Sequence, residues 1–121
     1  GTLTVFGDGS QTRDFTHVND VATGTIKSLE KVGYQIFNLG SNNPVSVNQV
    51  ITLIEDKLGK TVQKNYLPRN SADVTSTYAD ITKAKKILNW VPKVSFEDGI
   101  QMTIDWYMAN TDWLDTIIID S

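Results

Sequence analysis

The stretch SVNQVITLIEDKLG, residues 46–59, contains its own start, face and stop. Ser46 followed three residues later by Gln49 has the form of a capping box, in which each side chain satisfies the other residue's free backbone N–H. Val47, Val50, Ile51, Ile54 and Leu58 recur at the helical period as one apolar stripe. Gly59 then supplies the residue that tolerates a left-handed backbone at a helix C-terminus. The spacing predicts a helix over 47–58, and strands are expected on both sides of it. TLTVF (2–6) is β-branched and apolar, and VQKNYL (62–67) is stopped by Pro68.

Outward from this unit, GDGS (7–10) reads as a turn and TRDF (12–15) as a short extended piece. From Val18 the apolar positions follow the 3.6-residue period, which predicts an amphipathic helix ending near Gly33. YQIFNLG (34–40) reads as a strand closed by glycine, and SNNP (41–44) as a loop. RNSADVTST (69–77) has no period and is expected to be a loop or a short irregular strand. Asp80 is placed to cap a helix over ITKAKKIL (81–88), after which NWVPKV (89–94) is a linker whose Trp90 plugs the core. Ser95 caps a last helix with Phe96, Ile100, Ile104, Tyr107 and Met108 on one side. TDWLDTIIIDS (111–121) is left as a tail. Strands alternating with helices belong to the α/β or α+β classes, and a small mixed α/β fold is expected.

Composition narrows the function classes. The 121 residues carry 14 acidic against 11 basic side chains, a net charge of −3, which argues against binding nucleic acid by phosphate neutralisation. The one basic cluster, KAKK (83–86), spreads over more than one helical face and reads as solvated surface. There are no cysteines and a single histidine, so disulfides, thiolate metal sites and histidine-based metal or triad chemistry are not expected. No apolar run is long enough to cross a bilayer and no targeting or lipidation signal stands at either end, so a cytoplasmic protein is expected. The chain starts on Gly1, not Met, and enters strand-like sequence within two residues, which suggests a piece of a longer protein.

No nucleophile turn, paired-carboxylate motif, GxGxxG or Walker loop is present. His17 and the carboxylates Asp8, Asp14, Asp20 and Asp73 lie in loops or at helix starts, where caps and turns account for them. Arginine stands apart. Nine of the basic residues are lysines, whereas the two arginines, Arg13 in QTRDF and Arg69 in LPRNSAD, both sit in non-helical stretches. A planar guanidinium takes phosphate oxygens through two donors at once, and with Phe15 close by this leans toward an anionic, ring-bearing ligand. Surface ion pairs with Asp14 or Asp73 are the competing reading.

The segments GDGSQTRDFTHVNDV (7–21), IFNLGSNNPVSV (36–47) and DVTSTYADITKAKKILNWVPKVSFEDGI (73–100) resemble, in order and spacing, the C-terminal part of the extended short-chain dehydrogenase/reductases that act on nucleotide sugars. The likeness runs from residue 1 to about 108 and is greatest to the NAD-dependent epimerase/dehydratase group, UDP-glucose and UDP-glucuronate 4-epimerases above all. It implies that residues 1–110 form the nucleotide-sugar-binding part, with 18–40 packed on a Rossmann domain that lies outside this chain and holds NAD and the Tyr-x-x-x-Lys pair. It further implies hydride transfer to NAD and back, a cytoplasmic homodimer, a UDP-sugar substrate, and no nucleic acid or membrane. By the family pattern Arg13 contacts the diphosphate, Phe15 lies close to the nucleotide, Val47 packs on the base, and Asp73 binds ribose hydroxyls. The family's Arg-x-Gly-Asp stands here as NSAD. Either Arg69 reaches the phosphates from one place earlier, or Asn70 makes a neutral contact. A dehydratase or decarboxylase of the same superfamily, or a separate nucleotide-sugar-binding module, are the alternatives.

Overall fold

The computed structural model describes residues 1–29, 33–114 and 116–117. In chain order the elements are β1 (Thr2–Phe6), β2 (Thr12–Arg13), α1 (Val18–Lys27), β3 (Val45–Ser46), α2 (Val47–Leu58), β4 (Gln63–Leu67), α3 (Thr82–Leu88), α4 (Phe96–Ala109) and α5 (Thr111–Leu114).

β1 and β4 pair in parallel, Thr2 opposite Gln63 through Phe6 opposite Leu67. α2, which precedes β4, lies on the Leu3 and Val5 face of this ribbon. Ile51 is buried there, and Glu55 holds the ribbon to the helix by accepting from the Val62 N–H at 2.8 Å and from Lys64 Nζ at 2.9 Å. The expected helix 47–58 forms with the expected ends. The Gln49 N–H donates to Ser46 Oγ at 3.2 Å, the Ser46 N–H donates to Gln49 Oε1 at 2.9 Å, and Gly59 adopts φ +60°.

A second, antiparallel pair sets Arg13 opposite Val45 and Thr12 opposite Ser46. On its other side Thr12 meets the 75–77 segment, with the Thr12 N–H donating to the Thr75 carbonyl at 2.9 Å and the Thr77 N–H to the Thr12 carbonyl at 3.3 Å. The irregular stretch 69–77 thus contributes a short parallel bridge, and β2 sits in the middle of three chain segments.

The second core gathers around Trp90, which is 2% exposed, with Ala84 and Leu88 of α3 and the flanking Phe37, Leu39 and Ile81. α1 closes it from above through Gly24, where an added Cβ would lie 2.6 Å from Leu39 Cδ1 and 3.1 Å from Trp90 Cε2. α4 starts at Ser95, whose hydroxyl accepts from the Asp98 N–H at 3.0 Å, and α5 folds back so that Trp113 meets Trp106 edge-on at 6.0 Å.

Three expectations change. YQIFNLG forms no strand and belongs to no ladder among the described residues. A strand needs a partner, and here Phe37 and Leu39 turn sideways onto the α3 core instead. The helix from Val18 ends at Lys27 and not near Gly33, because Ser28 Oγ bonds back to the Thr25 carbonyl at 2.7 Å and the Ser28 N–H caps the last turn; residues 30–32 of the expected helix lie outside the described ones. Asp80 bonds to the Thr82 N–H at 2.9 Å as expected of a cap, yet the helix proper begins one residue later, with Ile81 at the cap position. In the tail, 111–114 is helical, and Ile118 and Ile119 lie outside the described residues.

Candidate functional site

Arg13 leaves the centre of the three-segment sheet with its guanidinium already oriented. Nη1 donates to the Thr12 carbonyl at 2.8 Å, and Nη2 donates to Asp73 Oδ1 at 2.5 Å across 60 residues of sequence. Both side chains remain about one-third exposed, so the pair sits at the surface where a ligand can reach it. Arg69 approaches the same residue from its other side, Nη2 donating to the Asp73 carbonyl at 2.8 Å and to Thr75 Oγ1 at 3.1 Å. Its stem lies over Gly7, whose φ of +82° is a conformation side-chain-bearing residues rarely adopt. Two guanidinium groups therefore converge on one aspartate. That arrangement suits an anion with several oxygens, such as a diphosphate, with the second carboxylate oxygen of Asp73 left to accept from a hydroxyl.

Asn70 stands differently. Its Oδ1 accepts from the Ala72 N–H at 2.9 Å, an Asx turn that shapes the loop so that the Asp73 N–H reaches the Asn70 carbonyl at 3.0 Å. Val47 is half-buried at the start of α2, held beside the sheet by its N–H to the Gln11 carbonyl at 3.1 Å. Phe15 turns to α4, its ring 5.8 Å from that of Phe96, and helps to line a cavity of about 150 Å³ with His17, Gly99 and Ile100. The structure thus brings together Arg13, Arg69, Asn70 and Asp73, keeps Val47 next to the same sheet, and sends Phe15 toward a neighbouring pocket.

Two aspartates matter more than their caps and turns suggested. Asp20, only 5% exposed, accepts from the Lys93 N–H at 3.0 Å and the Val94 N–H at 2.9 Å, while its own carbonyl takes the Trp90 indole N–H at 3.0 Å. The sequence shows only that Asp20 and Gly24, four apart, share a helix face, not what that face meets. Asp14 accepts from the N–H groups of Ser41, Asn42 and Ala79 and from the Ser41 hydroxyl. Burial by itself raises its pKa, but the Ser41 hydroxyl and the three backbone donors outweigh that and hold the carboxyl below its ordinary value. His17 takes the quiet role expected of it, capping α1 by accepting from the Asn19 N–H at 3.3 Å.

The GDGS turn and the start of α2 do not form a dinucleotide cradle. The glycine-containing turn GDGS is filled from within: a Cβ on Gly9 would lie 2.1 Å from Asn48 Oδ1, and the Asn48 N–H already bonds the Gly9 carbonyl at 3.0 Å. The first N–H groups of α2 go to Gln11, Gly9 and Ser46, leaving none of them for a pyrophosphate. Among the described residues no group of acids and histidines is placed to hold a metal ion, and no helix is long and apolar enough to cross a membrane.

Known proteins are similar to this chain in sequence and in fold. UDP-glucuronate 4-epimerase of Thermodesulfobacterium geofontis is 47% identical over 116 residues, which is 95% of this chain and 36% of that protein. The crystal structure of UDP-glucose 4-epimerase from Thermotoga maritima with UDP-glucose superimposes with a TM-score of 0.85 at 34% identity, over 91% of this chain and 36% of that one. UDP-glucuronic acid 4-epimerase from Bacillus cereus, in complex with UDP-glucuronic acid and NAD, gives 0.81 at 37% identity over 89% and 35%. The chain spans little more than a third of the length of each of these relatives. The family profile described as GDP-mannose 4,6 dehydratase matches residues 1–103, so this chain belongs to that family, within the extended short-chain dehydrogenase/reductases.

Proposed function

We propose that this chain is the substrate-binding part of an NAD-dependent UDP-sugar 4-epimerase and holds the nucleotide diphosphate of the substrate. The observation that carries the reading is the surface cluster in which Arg13 and Arg69 converge on Asp73. Arg13 takes the diphosphate, Arg69 adds a second cation, Asp73 accepts from the ribose hydroxyls, Val47 and Phe15 flank the nucleotide, and Asn70 shapes the loop that presents Asp73. UDP-glucose and UDP-glucuronate are the substrates favoured, because proteins similar to this one along most of its length act on them or bind them.

The chain supplies binding and orientation remote from the reacting carbon. NAD and the proton-transfer residues are assigned to sequence outside it, in keeping with the filled glycine turn and with relatives about three times as long. Residues 1–110 form this part, 18–40 face the cofactor domain, and 111–121 trail from it. A homodimer in the cytoplasm, working in carbohydrate metabolism, is the setting we assign; the net charge of −3 agrees with a partner that is not nucleic acid.

A second reading, dehydration of the same kind of substrate, is favoured by the description of the matching family. Full-length protein incubated with NAD and UDP-glucuronate or UDP-glucose separates the readings by product. Formation of the C4 epimer supports ours, loss of water or carbon dioxide moves the assignment to a dehydratase or decarboxylase, and binding without conversion leaves a binding module. The isolated 121-residue chain should give no turnover.

A further inference from the structure

Asp14 has no part in the ligand contacts assigned above, yet it sits next to Arg13 and makes more long-range hydrogen bonds than any cap requires. β2 has only two residues, so within the strand only the bond from Nη1 to the Thr12 carbonyl orients Arg13. Immediately after Arg13, the Asp14 carboxylate spans both neighbours of the strand. Oδ1 accepts from the Ser41 N–H at 2.8 Å and from the Ser41 hydroxyl, and Oδ2 accepts from the Asn42 N–H at 3.2 Å and the Ala79 N–H at 3.0 Å. Residues 41–42 lead into β3, which pairs with Arg13 through Val45. Ala79 follows the 75–77 segment, which pairs with Thr12 and continues from Asp73. Gly40 keeps this junction tight, since a Cβ there would lie 2.5 Å from Ala79 Cβ and 2.6 Å from Asp14 Oδ2.

We propose that Asp14 is a positioning residue for nucleotide binding: by fastening the 41–42 turn and Ala79 to one carboxylate, it sets Arg13 in register with Asp73. The proposal rests on the assignment of Arg13 to the nucleotide. A carboxylate accepts at both oxygens, whereas an asparagine offers one acceptor and turns an NH₂ toward a backbone donor, so Asp14→Asn loses either the Ser41 bonds or those from Asn42 and Ala79 while keeping the side-chain shape.

The test is a four-way titration of UDP into the full-length protein: wild type, Arg13→Ala, Asp14→Asn and the double variant. Asp14→Asn should weaken UDP about tenfold, the size of one charge-assisted hydrogen bond, and should raise KM for the UDP-sugar with kcat retained. In the Arg13→Ala background it should add nothing, because its effect passes through that arginine. Wild-type affinity in Asp14→Asn, or the same loss in both backgrounds, overturns the proposal while leaving the nucleotide reading in place. Wild-type affinity in Arg13→Ala overturns both. If Asp14→Asn does not fold, Ser41→Ala removes a single donor: a smaller loss that also vanishes without Arg13 supports the proposal, and a loss that persists overturns it.

Discussion

α1 and α2 are written in the same style and used in opposite ways. Each has an apolar stripe at the helical period, yet α2 turns its stripe inward, with Ile51 8% exposed against the β1–β4 ribbon. α1 turns its stripe outward, leaving Val18 69% and Ile26 68% exposed, and buries an aspartate and a glycine instead. Hydrophobic burial explains α2. α1 is held by shape and hydrogen bonds: Gly24 admits Leu39 and Trp90, and Asp20 takes two backbone N–H groups of the 93–94 segment. The difference teaches that an amphipathic stripe marks a face that is to be covered, but not by what. Tyr34 and Ile36, also largely exposed, extend the uncovered apolar surface beyond α1. The proposal that 18–40 face a cofactor domain gives that surface its cover.

The contrast can be broken most forcefully at Trp90. Trp90→Ala empties the second core and frees the Asp20 carbonyl, an expected loss of about 3–5 kcal/mol in denaturant unfolding. Asp20→Ala should follow, since it strands two partly buried N–H donors at roughly 1–3 kcal/mol each. A loss confined to a few tenths for Asp20→Ala would mean that α1 is not held in the way described.

The two stripes themselves should respond unequally. Ile51→Ala should cost about 2–5 kcal/mol, whereas Ile26→Ser should stay within about 0.5 kcal/mol for the isolated chain. Light scattering over a concentration series should show that the isolated chain self-associates and that Val18→Ser with Ile26→Ser reduces it, because large exposed apolar patches attract partners. Equal costs at Ile51 and Ile26 would erase the distinction between the helices.

The smallest effect is electrostatic. The folded-state pKa of Asp14 is depressed below its ordinary value of 3.8, so its contribution to stability is fully present above that value and is lost as pH falls through the depressed one. Acid titration of stability should therefore be shallower below pH 3.8 in Asp14→Asn than in the wild type.

What the sequence made legible was local. The capping box at Ser46 and Gln49, the Gly59 stop and the strand at 2–6 lie within a few residues of their causes, and all three stand as read. YQIFNLG failed as a strand because a ladder depends on a partner that its own residues do not specify. The bonds of Asp14 and Asp20 span 27 to 74 residues, and spacing carries no trace of contacts that long. In the candidate site, Arg13, Arg69 and Asp73 stood out by residue type and by resemblance, but their convergence depends on where the 69–77 loop folds back. The local role of Asn70 was also out of reach, because an Asx turn and a ligand contact use the same oxygen.

The central claim, that the guanidinium at the middle of the short sheet binds the nucleotide diphosphate, is tested most directly by calorimetric titration of UDP into the full-length protein beside Arg13→Ala and Lys85→Ala. Loss of a charge-assisted bidentate contact should remove about 1.5–3 kcal/mol of binding from Arg13→Ala, while the exposed helix lysine contributes little and Lys85→Ala should bind as the wild type does. Equal affinities for the two variants would contradict the account.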